Sequence, residues 1–305
     1  MTFRCGDHSP SVPFAPLIRG GLGYVYHAQT AQRHQWLERA TMNNLIYTNP
    51  PLVELISELK WGPQVGETGT NLFQLPQQSK DEEVLMQFAT VAASQGYARV
   101  ERLVPHGFPL PPGLVACRLR PTDVTKKSPL FQLGRGVFTV NGLPPEYRSW
   151  ADFTPVIQLG VDAMFRAYDQ AGAPPPKIST AVVRYIDAFK SDLTDGRPLL
   201  EFLDKVLGVS ITLPMAITER AQNAAAVVPT LRIEVPLSIG LMTVAFGRGM
   251  RENEEAVMLD TAVTVQRDIG SSVSAAVAAL SEARLVIHEL FRSLTKPLHE
   301  RMGPT

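Results

Sequence analysis

The chain has 305 residues, of which 45% are hydrophobic and 19% are charged. This balance excludes fibrous and disordered classes and is typical of a globular protein with one or two domains. Lys and Arg together number 29, as do Asp and Glu, so the net charge is zero. A neutral chain gives no electrostatic footprint for nucleic acid or an anionic membrane, which argues against both as partners.

The cysteine count and the hydropathy pattern predict the cellular compartment of the protein. Cys5 and Cys117 form no CxxC pair and cannot make a disulfide framework, which favours a reducing cytoplasm. No apolar run is long enough to cross a membrane, and no basic start leads into an apolar segment. We therefore expect a cytoplasmic protein with neither a signal peptide nor a membrane partner.

Residues 1–41 differ in composition from the rest of the chain. They contain Pro10, Pro13 and Pro16 and a cluster of glycines at positions 20, 21 and 23. Met42 directly precedes a segment that reads as a natural protein start. We expect residues 1–41 to be a poorly structured extension, or to reflect a mis-assigned start codon.

Strand and helix signals begin at Pro51. The segment LVELISELKW alternates in polarity between proline-rich and glycine-rich boundaries, which favours a strand over a helix. Residues 80–95 begin with acidic side chains and end before Gly96, which predicts a helix, and residues 97–104 resemble a short strand. Residues 128–141 predict two strands that meet at Gly134-Arg135-Gly136. That turn lacks the third glycine of a dinucleotide site and the Lys-Ser/Thr of a P-loop.

A second helix is predicted between Pro145 and Gly172. Its apolar residues recur every three or four positions, as in a helix that faces a core. We expect Pro155 in the first turn or at a kink, because proline has no backbone N–H to donate. The run Ala173-Pro174-Pro175-Pro176 marks a boundary between residues 42–173 and residues 174–305.

The segment KISTAVVRYIDAF predicts a strand that is apolar on both faces and therefore central in its sheet. Alternation places Arg184 on one face and Tyr185 and Asp187 on the other. A buried charge is costly unless it is paired, so Arg184 and Asp187 each need a partner. Together with His288 these three residues form the candidate polar site.

The remaining elements complete the second half. Residues 197–207 predict a short helix, and residues 231–246 predict one extended segment in which Pro236 indicates an edge strand or a bulge. A polar connection that starts at Gly247-Arg248-Gly249 leads into a strand at 257–267, as in an antiparallel hairpin. The long final helix is capped by Ser271 or Ser272.

No motif in the chain predicts catalysis or metal binding. His288-Glu289 lacks the second histidine of a zincin, because position 292 is Arg. His288 and His299 would lie about 16 Å apart along a helix, which is too far for one metal ion. There is no GxSxG elbow, and Cys117 as a nucleophile would need a histidine nearby in the fold. We therefore predict no catalytic residue, metal or cofactor.

These elements predict an α+β fold with a mostly antiparallel sheet and helices packed on one face. The order strand, hairpin, helix occurs twice. We expect two similar halves that share one sheet.

Several segments resemble a known family. NPPLVELISELKW, FQLGRGVFTVN with YRSWADF, VRYIDAF and IHELFRSLTKPLHERMGP occur in the order and approximate spacing of the sporadically distributed bacterial family TIGR04255. The resemblance covers residues 47–304, and the RYID strand and the closing LHERMGP carry it most specifically. The N-terminal extension and Gly134-Arg135-Gly136 depart from it, since the family pattern has bulkier polar residues at that turn. The resemblance implies a bacterial origin and horizontally moved genes, such as defence or toxin–antitoxin clusters, but transfers no catalytic residue.

Two classes of function follow as hypotheses. The first is a non-enzymatic binding or regulatory module that acts on a protein or small-molecule partner through its sheet face or the groove between halves. The alternative is an enzyme of unrecognised type with a cleft around Arg184 and Asp187, together with Tyr185 and His288. A concave pocket at Arg184 and Asp187 would favour the enzyme. Homodimerisation through sheet edges or helices is a further hypothesis.

Overall fold

A computed structural model describes residues 46–62, 75–221 and 227–304. The predictions for residues 1–41, including the start at Met42, concern a part of the chain outside these ranges. Within them, no helix combines the length and the apolar character that a membrane span requires.

The nine strands within the described ranges form one sheet in which every neighbouring pair is antiparallel. They are β1 Leu52–Trp61, β2 Arg99–Arg102, β3 Val115–Arg120, β4 Leu130–Gly134, β5 Val137–Gly142, β6 Ile178–Phe189, β7 Leu231–Leu237, β8 Gly240–Arg251 and β9 Glu254–Gly270. Their spatial order is β2-β3-β4-β5-β1-β6-β9-β8-β7, so β1 and β6 pair in the middle. In each half of the chain the last strand returns beside the first, β5 beside β1 and β9 beside β6.

Seven α-helices lie within the described ranges. They are α1 Leu75–Ser94, α2 Trp150–Gln170, α3 Ser191–Thr194, α4 Leu199–Lys205, α5 Met215–Thr218, α6 Val273–Leu294 and α7 His299–Met302, with a 3-10 turn at Lys296–Leu298. The three long helices, α1, α2 and α6, cover one face of the sheet, which we call the helix face. Alternate strand residues point to the opposite side, the open face, on which no described helix packs.

Two hydrophobic clusters stabilise the helix face. The first lies beneath α1, α2 and the beginning of α6 and includes Phe88, Phe131, Phe138, Ile157, Met164, Val183 and Leu280. The second lies at the end of β6, beneath α4 and α7, and includes Phe189, Phe202, Leu203, Phe246, Leu259 and Met302. Each fully buried large side chain contributes about 1.5–3 kcal/mol, so these clusters account for the stacking of helices on the sheet.

The predicted α+β class is confirmed, with a large antiparallel sheet. The strand at β1, the hairpin at Gly134-Arg135-Gly136 and the central position of β6 also agree with the sequence predictions. Ser272 caps α6, since its side chain accepts a hydrogen bond of 3.2 Å from the Ala275 N–H. Pro236 lies on β7, an edge strand, where its missing N–H costs nothing.

The hairpin of β8 and β9 differs from its prediction. The segment 231–246 contains a turn at Ser238-Ile239, and β8 continues through Gly247 and Gly249 to Arg251. The turn into β9 is Glu252-Asn253, whose φ angles of 53° and 66° are those of a mirror-image hairpin turn. Asparagine favours this conformation and glutamate does not, so the sequence conceals the turn.

Smaller differences concern element boundaries. The sequence does not predict β3, because VACRLR is short and follows a loop rich in proline and glycine. α1 begins at Leu75, five positions before its predicted start, and the predicted helix at 197–207 is shortened to α4. Pro155 is the sixth residue of α2 and so lies in its second turn.

The family-like C-terminal segment joins the two ends of the described chain. The N–H groups of Thr48 and Asn49 donate to the carbonyls of Gly303 and Met302, each at 2.9 Å. Arg301 pairs with Asp195 at 2.6 Å. Gly303 has φ +65°, and a Cβ there would lie 2.2 Å from the Thr48 hydroxyl oxygen. These residues of the LHERMGP segment therefore have structural roles.

Candidate functional site

The structure divides the four predicted site residues between the two faces of β6. Arg184 is on the open face, whereas Tyr185 and Asp187 are on the helix face. His288 is half-buried on α6, one turn beyond Arg284, which is a buried residue of the same helix. A single cleft around Arg184 and Asp187 is therefore not formed, because the sheet itself separates the two side chains.

A cluster of polar side chains lies on the helix face, where Tyr147 and Tyr185 are half-buried and Asp187 and Arg284 are buried. The hydroxyls of Tyr147, which precedes α2, and Tyr185 are 3.0 Å apart. Burial raises the pKa of Tyr147 well above its ordinary value. Burial also raises the pKa of Tyr185, while the positive charge of Arg284 on α6 opposes this rise. Both tyrosines therefore remain protonated at neutral pH and serve as hydrogen-bonding groups.

Asp187 completes this interior cluster. Only 3% of the residue is exposed, and burial raises its pKa from 3.8 to about 7, against the attraction of Arg251. A carboxyl group that titrates near neutrality has the pKa of a general acid or base. Along β6, Tyr185 and Asp187 lie between Val183 of the first hydrophobic cluster and Phe189 of the second. The interior cluster is thus a polar layer between two apolar regions.

The open face carries a second set of polar side chains, which we call the cross-strand network. It connects β2, β3, β4, β5 and β1 by direct side-chain hydrogen bonds and consists of Glu101, Arg118, Arg120, Gln132, Thr139, Asn141 and Glu54. Thr139 and Asn141 are buried, although they lie on the open face. The network is built on the strands themselves and needs no loop to position it, and its partly exposed members lie on β2, β3, β4 and β1.

The charged ends of the network determine how its amides point. Glu101 accepts from Arg118 at 3.2 Å and from Arg120 at 3.5 Å. Arg118 also donates to the side-chain oxygen of Gln132 at 3.0 Å, so the Gln132 NH₂ group must face β5.

At the other end of the network, Glu54 can only accept. It receives a hydrogen bond of 2.7 Å from the Asn141 amide nitrogen. The Asn141 oxygen therefore faces Gln132, whose NH₂ group donates to it at 3.0 Å and to the Thr139 hydroxyl at 2.9 Å. The charged ends thus fix one pattern of donors and acceptors across five strands.

Arg184 extends the polar surface across the centre of the sheet. It donates from Nε to Asp260 Oδ1 on β9 at 2.7 Å and makes a second, parallel contact to Oδ2. Asp260 is therefore the partner that a charge in a central strand requires. The hydrogen bond to Asp260 raises the pKa of Arg184 above its ordinary value, and the charges of Glu54 and Glu58 on β1 add to this rise. Polar groups on this side of the sheet thus lie on seven consecutive strands, and those of β5 are buried.

We predict that the ion pair of Arg184 and Asp260 contributes little to stability. The two side chains are 44% and 32% exposed, and solvent-screened pairs contribute about 0–1 kcal/mol. A double-mutant cycle of Arg184→Ala and Asp260→Ala, measured by urea unfolding, should give a coupling free energy below about 1 kcal/mol. A coupling near that of a buried pair, about 3 kcal/mol or more, would contradict this prediction.

Sequence reasoning missed most of these residues. Gln132, Thr139 and Asn141 occupy alternate positions in strands that are otherwise apolar, which was a usable signal. The register that brings them beside Arg118 and Glu54 was not visible in the sequence. Arg284 lies within the apolar stripe of α6, and a single charged residue in such a stripe does not by itself predict a functional site.

Three further features of the described residues bear on chemistry: a buried thiol, a cavity and the distribution of metal-ligating side chains. Cys117 is buried, and burial raises the pKa of its thiol to about 11, so it is a poor nucleophile. A cavity of about 450 Å³ lies near the Gly134-Arg135-Gly136 turn, where its lining includes Trp61, Lys80 and Tyr168 but neither Arg184 nor Asp187. Among the residues that the structure describes, no group of three or more His, Cys, Asp or Glu side chains could hold a metal ion.

Comparison with protein-family models, with curated proteins and with solved structures gave no significant match.

Proposed function

We propose that this protein is a binding module that recognises a protein partner through the open face of its sheet. The cross-strand network is the observation that supports this proposal. It orders hydrogen-bond donors and acceptors on a rigid sheet, so a partner would meet a surface whose polar groups are already positioned. Binding then costs less conformational entropy than binding to mobile loops.

The extent of the open face favours a protein over a small molecule. Neighbouring strands lie about 4.8 Å apart, so seven strands extend across roughly 30 Å. Such a width suits a protein interface of about 800 Å² on each partner, whereas small ligands usually occupy enclosed clefts. Ile56, Val182 and Ile186 add half-buried apolar surface between the polar groups. A polar surface with an apolar centre is typical of protein interfaces.

The charges on this face argue against a polyanionic partner. Arg118 and Arg120 share Glu101, Arg184 is paired with Asp260, and Lys60 is paired with Glu58, while Glu54 on the same face adds a further negative charge. Paired cations leave little excess positive potential for phosphates. We infer a partner whose own surface carries both signs of charge.

Site-specific photo-crosslinking tests the proposal. A photoreactive phenylalanine analogue would replace Ile56 or Val182 on the open face of the full chain, expressed in cells of the source organism. The control position is Met86 on α1, which is 61% exposed and lies away from the open face. We expect both open-face positions to crosslink the same protein, the control to leave it unlabelled, and Arg184→Glu to reduce the yield several-fold.

Three outcomes would contradict the proposal. They are equal crosslinking from position 86, crosslinking only to a second copy of this chain, and no crosslinked protein from either open-face position. Thermal unfolding of each variant establishes that the sheet is intact. Membership of the resembled bacterial family, the link to defence gene clusters and a cytoplasmic location remain predictions.

An enzyme is the second candidate, and Asp187 is the observation that favours it. Its pKa of about 7 matches acid–base chemistry, and Tyr147, Tyr185 and Arg284 lie in the same interior layer. Catalysis there would require substrate to reach the helix face of β6, without the participation of Arg184. An activity that Asp187→Asn abolishes, with the fold retained, would support this candidate.

A further inference from the structure

The outer edge of β7 has the properties of a strand that pairs with another strand. β7 ends the sheet, and no described strand pairs with its outer side. Arg232, Ile233 and Glu234 are exposed there. The other end of the sheet, β2, has only four residues, against seven in β7.

The register of the sheet determines which backbone groups of β7 point outward. The Gln266 N–H donates to the Ile239 carbonyl, so β8 residues at odd positions hydrogen-bond to β9 and those at even positions to β7. Ile233 and Val235 face Val244 and Met242, at even positions, and therefore bond inward. The N–H and C=O groups of Arg232 and Glu234 are left on the outer edge.

This edge is complementary to itself. If a second β7 lies antiparallel with Ile233 opposite Ile233 of the partner subunit, Arg232 lies opposite Glu234 of the partner subunit. In that register the outward N–H and C=O groups of Arg232 and Glu234 form four main-chain hydrogen bonds across the two-fold axis. In the single chain Arg232 is paired with Glu234 of the same strand at 2.9 Å. In the dimer each arginine would also meet a glutamate of the partner subunit, because the side chains of directly opposed residues interact.

Pro236 limits the length of this pairing. It is the next residue whose backbone would point outward, and proline has no N–H to donate. The edge therefore offers a short block with a defined register, and one copy occupies all of it. A closed two-fold dimer follows, because pairing of the two β7 edges leaves none free to extend the sheet.

We propose that two copies of this chain pair through β7 in this register and form one continuous sheet. The dimer would place two open faces side by side, and it does not depend on what the open face binds. The strand that pairs with β7 is the β7 of a second copy, because two antiparallel Arg-Ile-Glu segments place each arginine opposite a glutamate.

Charge reversal provides the test on the full chain. The four facing groups are the side chains at positions 232 and 234 of the two subunits. In a dimer of the Arg232→Glu variant all four are acidic, and in a dimer of the Glu234→Arg variant all four are basic. Like charges directly opposite one another destabilise a strand pair, so each variant alone should dimerise at least about tenfold more weakly. Both positions are exposed, so the fold should be retained. Sedimentation velocity of the wild type and both variants gives the association constants.

The decisive part of this experiment is the mixture of the two charge-reversal variants. In a mixture, the acid introduced by Arg232→Glu in one variant would oppose the base introduced by Glu234→Arg in the other, so a heterodimer should form at close to wild-type strength. Val100→Lys on β2 is the matched control at the other edge and should leave dimerisation unchanged. A wild type that stays monomeric at its highest soluble concentration would overturn the proposal. So would dimers that persist in each charge variant alone, or a mixture without heterodimer.

Discussion

Replacing Asp187 with Asn is expected to stabilise the protein above pH 7 and to leave its stability nearly unchanged near pH 4. Burial raises the pKa of Asp187 from 3.8 to about 7. The folded protein therefore holds a proton on this group between these two pH values, while the unfolded chain has released it. Stability falls as the pH rises through this window, because the unfolded state binds fewer protons there.

The expected size of the effect follows from the pKa shift. A shift of roughly three pKa units corresponds to about 4 kcal/mol at 1.36 kcal/mol per unit. Asparagine resembles the protonated acid and has no charge to bury. The attraction of Arg251 is already contained in the net shift, so only the imperfect match of the amide to the protonated carboxyl reduces the gain. We therefore expect a gain of about 2–4 kcal/mol at pH 8.

Urea unfolding of the wild type and of Asp187→Asn at several pH values between 4 and 8 measures this gain. Asp162→Asn on α2 makes the same chemical change at a half-exposed position and controls for the substitution itself. If Asp187→Asn were less stable than the wild type at pH 8, Arg251 would stabilise the ionised carboxylate by more than burial destabilises it.

A gain in stability at this position would also bear on function. A charge that destabilises the folded state has no structural reason to be present. Sites that combine a chemical role with a cost in stability are common in enzymes and binding proteins. The same variant therefore separates a structural Asp187, for which loss of the charge is harmless, from one whose ionisation serves the second candidate function.

Much of the fold was predictable because its signals are local. Alternation along β6 correctly divided Arg184 from Tyr185 and Asp187, and the spacing of apolar residues in α2 and α6 identified two of the three long helices. These patterns depend on residues that are neighbours in the sequence. The same reasoning failed at Glu252-Asn253, where the backbone adopts a conformation that glutamate disfavours.

The candidate site was less predictable because its contacts are not local. Asp260, the partner of Arg184, is 76 positions away in the chain, and Tyr147 is 38 positions from Tyr185. Such pairs are set by strand register and by the placement of helices on the sheet, and neither is encoded near the residues concerned. The sequence therefore indicated which side chains needed partners without identifying those partners.

Replacing Gly134 with Ala is expected to destabilise the protein by about 3 kcal/mol or more. Gly134 ends β4 in the Gly134-Arg135-Gly136 turn, and a Cβ there would lie 1.8 Å from the Leu114 carbonyl oxygen and 2.9 Å from the Val115 Cα. Both atoms belong to the backbone at the start of β3, so no side-chain rotation relieves the overlap. Overpacking against side chains costs about 1–3 kcal/mol, and displacement of a paired strand should reach or exceed the top of that range.

Neighbouring contacts would be lost with the displaced strand. The Gly113 N–H donates to the Arg135 carbonyl at 2.7 Å, and β3 pairs with β4 from Val115 onward. This close approach accounts for the glycine at position 134.

Gly247→Ala provides the matched control for this prediction. Gly247 lies in β8, and apart from its own residue and its two chain neighbours no heavy atom lies within 4 Å of the position that its Cβ would take. Alanine there should be neutral or should stabilise by up to about 1 kcal/mol, since it restricts the unfolded chain. Urea unfolding of both variants should give a difference of at least about 3 kcal/mol between them. Equal stabilities would mean that β3 and β4 separate without cost, and the polar network would then not be held on a rigid surface at Arg118 and Gln132.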